Sequence, residues 1–326
     1  STVDTAANEK FKSYEDRFIL QLWKENPEWA TQVGFHQYDS LLTIPDADAQ
    51  KLRLEFSKRH LDSLKNFDLS TLNLSQQTDY HLIQNYLESN IWAIEKERAY
   101  EWNPSSYNVG GTIAFMLAEN YAPLSTRLKA IYHRLTKIPA YYEAAKGQLK
   151  NPATVLTDLA IQQNLGGLSV FENDLRDSLK KSDLPTSEKD AIQKASQQAI
   201  AAINGYVQFL KVTPNPSPRS FRLGKELYDK KFDFDIQSGS TAEQIYQAAL
   251  ARKSYLHREM YKISKELWPK YFGKSSLPSD SLLVIRKMID TLSVKHVKAE
   301  EFQSAIEAQI PKLVAFVKQK DLLYID

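Results

Sequence analysis

The sequence predicts an all-α protein, and three observations carry that reading. Apolar residues recur at steps of three and four along most of the chain, the spacing that lines one face of a helix. Glycine numbers only 10 in 326 residues, under half its usual frequency of about 7%, and strand-to-strand turns consume glycine. No stretch alternates apolar and polar residues as a half-buried strand would. The expected architecture is an elongated multi-helix array of two helical subdomains.

The elements follow in order. Phe11, Tyr14, Phe18 and Leu22 form one stripe on a first helix, which Asn26-Pro27 interrupts. Gly34-Phe35-His36-Gln37-Tyr38-Asp39 reads as a loop, and a second helix covers about 46–65. Ser75 looks like the N-cap of a long helix with Tyr80, Ile83, Leu87, Ile91 and Ile94 on one face. The segment 102–111 is the longest aromatic and glycine-containing loop. Beyond it Leu124, Leu128, Ile131, Leu135, Ile138, Tyr142, Ala145 and Leu149 form a coiled-coil-like seam that Pro139 should kink or restart. Asn151-Pro152 opens another helical region, weakened at Gly166-Gly167, and a further helix runs from Pro185 to about Lys211.

Pro214-Asn215-Pro216-Ser217-Pro218 is the strongest break, since three prolines in five residues favour an extended connector. It divides an N-terminal helical domain, 1–213, from a second one, 214–326. The second holds a short element at 223–234 and a helix capped at Ser240-Thr241. Ile245, Ala249, Leu256, Met260, Ile263 and Leu267 are the expected buried face of that helix. Helices at about 279–292 and 298–318 follow, the latter carrying Pro311. The apolar ending Leu322-Leu323-Tyr324-Ile325-Asp326 reads as cut from something longer, and the start at Ser1 as trimming or removal of an export signal.

Composition narrows function. A formal charge of +2, from 42 basic and 40 acidic residues, offers no field for a nucleic-acid backbone. The lack of cysteine removes disulfides, thiolate zinc sites and cysteine nucleophiles. No apolar run of about 18 residues spans a membrane. The six histidines (His36, His60, His81, His133, His257 and His296) are never followed by glutamate, so the His-Glu-x-x-His zinc motif is missing. His296 with Glu300 has ligand spacing but needs a third ligand, and a solvated pair is the simpler reading. His257 with Glu259 and Glu266 is weaker still. Asn173-Asp174-x-x-Asp177 is a faint magnesium motif without a partner cluster, and nucleophile elbows and phosphate loops do not occur. What remains are polar and aromatic residues at loops: Asn103, Tyr107, Asn120, Arg127, Arg222 and Tyr228. Such positions serve clefts or merely cap and pack.

The order of landmarks resembles a known family. Leu22-Trp23 through Pro27, Ala30-Thr31 and the segment Gly34 to Asp39 resemble the opening of the bacterial domain-of-unknown-function family 885. So do Trp102-Asn103-Pro104 with Tyr107, Pro123-Leu124 with Arg127-Leu128, Arg134-Leu135 and Ile138-Pro139. Leu223-Gly224-Lys225-Glu226-Leu227-Tyr228 and Thr241-Ala242-Glu243-Gln244-Ile245 continue the series. The resemblance implies a zincin-like scaffold and a zinc-dependent hydrolase of peptidase type, exported to the periplasm or lipid-anchored at the envelope of a bacterium. It places the metal motif, a His-Glu followed shortly by Pro-Gly-His, in a C-terminal part that this chain does not contain.

The expectation is therefore the N-terminal scaffold and substrate-cleft portion of such an enzyme, not catalytic by itself. Its partners would be the missing C-terminal part and a peptide-like substrate. The chain itself should hold no cofactor, with zinc implied only for the full-length protein. Tyr107, Asn120, Arg222 and Tyr228 are the expected substrate contacts. The rival expectation is a non-catalytic helical module that binds a peptide or protein partner in a groove.

Overall fold

A computed structural model describes residues 4–325, and among them every regular element is helical. The chain builds α1 (Thr5–Glu25), α2 (Pro27–Gln32), α3 (Ala47–Leu64), α4 (Leu74–Trp92), α5 (Ala99–Trp102), α6 (Gly110–Ala118) and α7 (Leu124–Gln148). It continues with α8 (Thr154–Ser169), α9 (Leu175–Lys181), α10 (Thr186–Val212), α11 (Lys225–Ile236), α12 (Ala242–Phe272), α13 (Ser281–Ser293) and α14 (Phe302–Gln319). Single π turns, Ala93–Glu97 and Val170–Asp174, extend α4 and α8.

Local chemistry sets most boundaries. Asp46 caps α3 by accepting from Ala49 N at 2.8 Å. Thr241 and Gln244 form a reciprocal capping box at α12. The cap of α4 is Asn73, whose Oδ1 accepts from Gln76 N at 3.0 Å, so Ser75 lies inside the helix it was expected to open. Asn precedes the first turn with an extended backbone and reaches the free amides first. Pro139 neither restarts nor divides α7, which is continuous from Leu124 to Gln148. The supposed long loop at 102–111 is mostly short helical turns, including Pro104–Ser106 and the start of α6.

The structure divides into two compact units, Ser1–Gly239 and Ser240–Asp326. The first unit has two cores. In the larger, the seam Leu128, Ile131, Leu135, Ile138, Tyr142 and Ala145 of α7 packs with Ile192, Ala199, Ile203 and Tyr206 of α10 and with Phe171 and Leu175. In the smaller, Phe11, Tyr14, Phe18 and Leu22 of α1 meet Phe56 and Leu64 of α3 and Leu87 of α4. Gly166-Gly167, expected as a weak point, is a close crossing instead. A methyl group on Gly110 would stand 3.4 Å from Gly167 Cα, so α6 and α8 touch through bare backbone.

The proline-rich stretch does not end the first unit. Asn215 Nδ2 donates to Pro152 O at 2.7 Å, Arg219 N donates to Asn151 O at 3.1 Å, and the Arg219 guanidinium lies 4.4 Å from the Trp102 ring centre. Next, α11 lies on α4, with Asn85 Nδ2 donating to Phe234 O at 3.0 Å and Phe234 against Trp92. Three closely spaced prolines stop a helix here, but the backbone around them still forms ordinary hydrogen bonds.

The second unit is thinly packed. Its small core is Trp268, Val284 and Met288, where α12 meets α13. The expected buried stripe of α12 is not buried: Ile245, Leu256, Met260 and Ile263 are exposed, and the covered positions are Ser264 and Trp268 near its C-terminal end. α14 has no buried residue. An amphipathic pattern states which face can be covered, and packing decides whether it is.

In the smaller core His60 accepts from the Tyr14 hydroxyl at Nδ1, 3.2 Å away, and donates from Nε2 to Gln21 Oε1 at 2.8 Å. Burial, helped by nearby Arg59, holds its pKa down to about 4, against 6.5 when free. The folded state thus refuses a proton that the unfolded chain accepts below pH 6.5. Stability is complete above that pH and falls as pH drops towards 4. In urea unfolding, the stability difference between parent and His60→Gln should shift in the variant's favour across that window; a constant difference would contradict this. Ile138→Ala should cost about 2–5 kcal/mol, whereas Leu256→Ala should stay within about 0.5 kcal/mol.

Candidate functional site

The densest polar cluster joins the segment after α1 to the α6–α7 corner. Arg127 and Arg134 stand seven residues apart on α7, two turns along one face, and both are buried. Arg134 is fully buried. It donates from Nη1 to the Thr112 hydroxyl on α6 and from Nη2 to the Thr31 hydroxyl on α2, at 2.7 Å in the latter case. Pro27 O lies 3.4 Å from the same nitrogen. Its Nε is buried without a partner among the described residues. Burial pulls the Arg134 pKa down, and the charges of Glu28 and Asp39 work against that pull. Arg127 serves the end of α6, donating to Met116 O and Leu117 O at 2.8 Å, to Ala122 O at 2.9 Å and to Asn120 Oδ1 at 3.1 Å. Met116 O and Leu117 O are carbonyls that the C-terminus of α6 leaves without partners.

The cluster reaches the surface at His36. Asp39 accepts from the Thr31 hydroxyl at 2.7 Å and holds His36 Nδ1 at 3.1 Å and 3.2 Å. The carboxylate side chain is about 10% exposed and the imidazole 30%. A carboxylate on Nδ1 selects the tautomer with its proton there, so Nε2 presents a lone pair. Among the described residues nothing bonds to Nε2. The imidazole also stacks on Tyr121, centroids 3.7 Å apart and planes within 4°. Burial, then the Asp39 carboxylate, pushes the Tyr121 phenol up. Chemically, the arrangement is an oriented hydrogen-bond and proton acceptor. The Thr31 hydroxyl bonds to the carboxylate, not to the imidazole, so it is not activated as a nucleophile.

The expected substrate contacts fall in different places. Asn120 lies next to Tyr121 and bonds to Arg127, so those two loop residues are brought together. Tyr107 is buried, 4% exposed, and its hydroxyl donates to Tyr100 O at 2.6 Å. Arg222 is exposed against Phe221, and Tyr228 is exposed on α11 beside Phe232. No hydrogen bond, ion pair or ring contact joins any two of Tyr107, Asn120, Arg222 and Tyr228 among the described residues. Asn103 caps the turn at Ser105. The sequence marks Thr31 and Arg134 only as family landmarks, and His36 and Asp39 additionally as part of a loop, with His36 one of six histidines that form no zinc motif. Their signal was membership of that ordered series; spacing alone could not pair Thr31 with Arg134.

The residues present do not fit zinc. Among the described residues no three His, Cys, Asp or Glu side chains converge as ligands. The Asp39 carboxylate is engaged with the same histidine that would have to bind. His296 lies before α14, its Nδ1 2.7 Å from Ser293 O, so the helix face it was to share with Glu300 does not form.

Fold and site together define an all-helical protein whose polar node ends in one oriented histidine. The chain belongs to the family of bacterial proteins of unknown function DUF885, whose family model matches residues 27–325. It is similar to a solved structure from Shewanella oneidensis, named as a candidate lipoprotein of unknown function, with 42% identity and a TM-score of 0.83. That match covers 97% of this chain and 58% of the other, so the chain spans under two thirds of its relative's length. No curated protein matches the chain. No helix among the described residues is long and apolar enough to cross a membrane.

Arg134→Ala should destabilise the first unit by about 3–5 kcal/mol, because it leaves Asp39 buried without its compensating charge. Asn120→Ala, on the exposed side of the same node, should cost about 1 kcal/mol or less. Thermal unfolding monitored by circular dichroism measures both, and equal costs would show that the node is not what joins α2 to α7.

Proposed function

We propose that this chain is the helical scaffold and substrate-cleft portion of a longer hydrolase of peptidase type, held at the bacterial cell envelope, and that it does not react with substrate by itself. The observation that carries the proposal is His36. Asp39 orients its ring and leaves Nε2 free at a surface that also presents Asn120, while among the described residues no metal ligand set stands beside it. That is a group for gripping a substrate, and the bond-breaking groups must come from elsewhere. Two findings support the wider setting: the similar solved protein is considerably longer, and it is named as a candidate lipoprotein. On this reading any zinc would be held by residues outside this chain. Arg222 and Tyr228, both exposed, remain contacts to test beside His36 and Asn120.

A second reading, a non-catalytic module that takes a peptide or protein partner, is favoured by a separate observation. The apolar residues Phe302, Ile306, Ile310, Leu313 and Phe316 of α14 are all exposed, a larger run than a helix leaves uncovered without use.

The test uses a complete family member carrying this chain, against a broad peptide panel. His36→Gln should raise KM by about tenfold, the worth of one hydrogen bond to a charged or polar group, with kcat within about twofold, the pattern of lost uniform binding. Hydrolysis by the 326-residue chain alone, surviving repurification, would refute the scaffold reading. Peptide binding without hydrolysis by the complete protein would favour the module.

A further inference from the structure

A second feature lies away from the His36 node, in the smaller core of the first unit. Helices α1 and α4 run side by side in the same direction, with Gln76 Nε2 donating to Asn8 O at 2.8 Å and Phe11 stacked near Tyr80. Past these contacts they leave a groove of about 470 Å³. This is within the size range of small-molecule sites, roughly 300–1,000 Å³.

One end of the groove is aromatic. Trp23 and Trp29 meet edge to face with centroids 5.1 Å apart, and Trp29 lies 6.0 Å from Tyr86. Ile19, Trp29 and Leu82 are exposed along it. Three large apolar side chains facing water in one concave place call for an occupant.

The other end is acidic. Glu15 of α1 and Asp79 of α4 both line the groove. Glu15 Oε1 is buried and no donor reaches it among the described residues. The nearest cation, Lys12, is taken up by Asp16 at 3.1 Å, on an exposed ion pair. Burial first, then the adjacent Asp79, lifts the Glu15 pKa to about 7. Beside Asp79, the Glu15 carboxyl holds its proton more readily than a free one in the absence of a cation. A positively charged nitrogen could take the place of that proton.

We propose that this groove binds a small organic ammonium ion with an apolar or aromatic body, the charged nitrogen between Glu15 and Asp79 and the body against Trp23, Trp29 and Tyr86. The dimensions agree. Eight residues of α1 separate Glu15 from Trp23, about 12 Å at the helical rise, which suits one extended molecule. Charge complementarity fixes the head, and the aromatic faces hold the body. The site is independent of the hydrolase reading, since it shares no residue with the His36 node and needs no reaction.

The probe is 4-phenylbutylammonium, compared with 4-phenylbutan-1-ol, which has the same body without the charge. Both are titrated at pH 8 into the whole chain by calorimetry, with tryptophan fluorescence as a second readout. The ammonium should bind saturably and about tenfold or more tightly than the alcohol. The double variant Glu15→Gln with Asp79→Asn should erase that preference while leaving the alcohol unchanged. Since this variant removes like-charge repulsion, it should fold at least as well as the parent, and circular dichroism checks that. Trp29→Ala, at an exposed position, should weaken both compounds. Equal binding of the two compounds, or no saturable binding of the ammonium up to about 1 mM, would overturn the proposal. Concentration-dependent self-association lost in Trp29→Ala, without ammonium binding, would also overturn it and assign the groove to a second copy of the chain.

Discussion

A guanidinium removed from water must be compensated on several sides, and Arg134 achieves this by drawing three separate helices to one point. Its hydrogen bonds to Thr112 and Thr31 join α6 and α2 to α7, and Thr31 passes the contact on to Asp39. Desolvation of that charge is costly enough that the partners cannot be loosely placed. The position of His36 follows from this arrangement, because Asp39 is held by Thr31 before it can hold the imidazole. The oriented histidine is therefore a consequence of core packing, reached through one hydroxyl group and a carboxylate.

The two units use the same kind of sequence pattern to different ends. In the first, the α7 seam is matched by α10, and both bury their apolar faces against each other. In the second, α12 and α14 are as amphipathic as the helices of the first, yet most of their apolar residues stay exposed. Apolar burial drives association in proportion to the area removed from water, so these faces retain an unused tendency to be covered. That tendency suits a part of a larger assembly, in keeping with a solved relative of which this chain matches 58%.

The two candidate sites differ in how they could be noticed. Thr31, His36 and Asp39 sit within a short run whose order resembles a family, so their neighbourhood drew attention even though their roles did not. Their partner Arg134 lies 103 residues from Thr31, and nothing in the spacing connects them. The groove of Glu15, Asp79 and Trp29 left no trace in the sequence. Each residue reads as an ordinary position on an amphipathic helix, and the site arises only from α1 and α4 lying parallel. Loop position does not fix burial, since Tyr107 is a core residue whereas Asn120 is on the rim.

The sequence by itself determined the helical class, the Thr241 cap of α12 and the seam of α7, because helix periodicity and capping depend on residues within one or two turns of each other. It also carried the ordered landmarks that identify the family. Tertiary structure decided the rest: that the proline-rich stretch belongs to the first unit, that the α12 stripe stays exposed, and that Arg134 meets Thr31. The physical reason is range. A cap or a stripe is settled by local geometry, whereas burial, charge compensation and the shape of a groove depend on which distant helix arrives opposite.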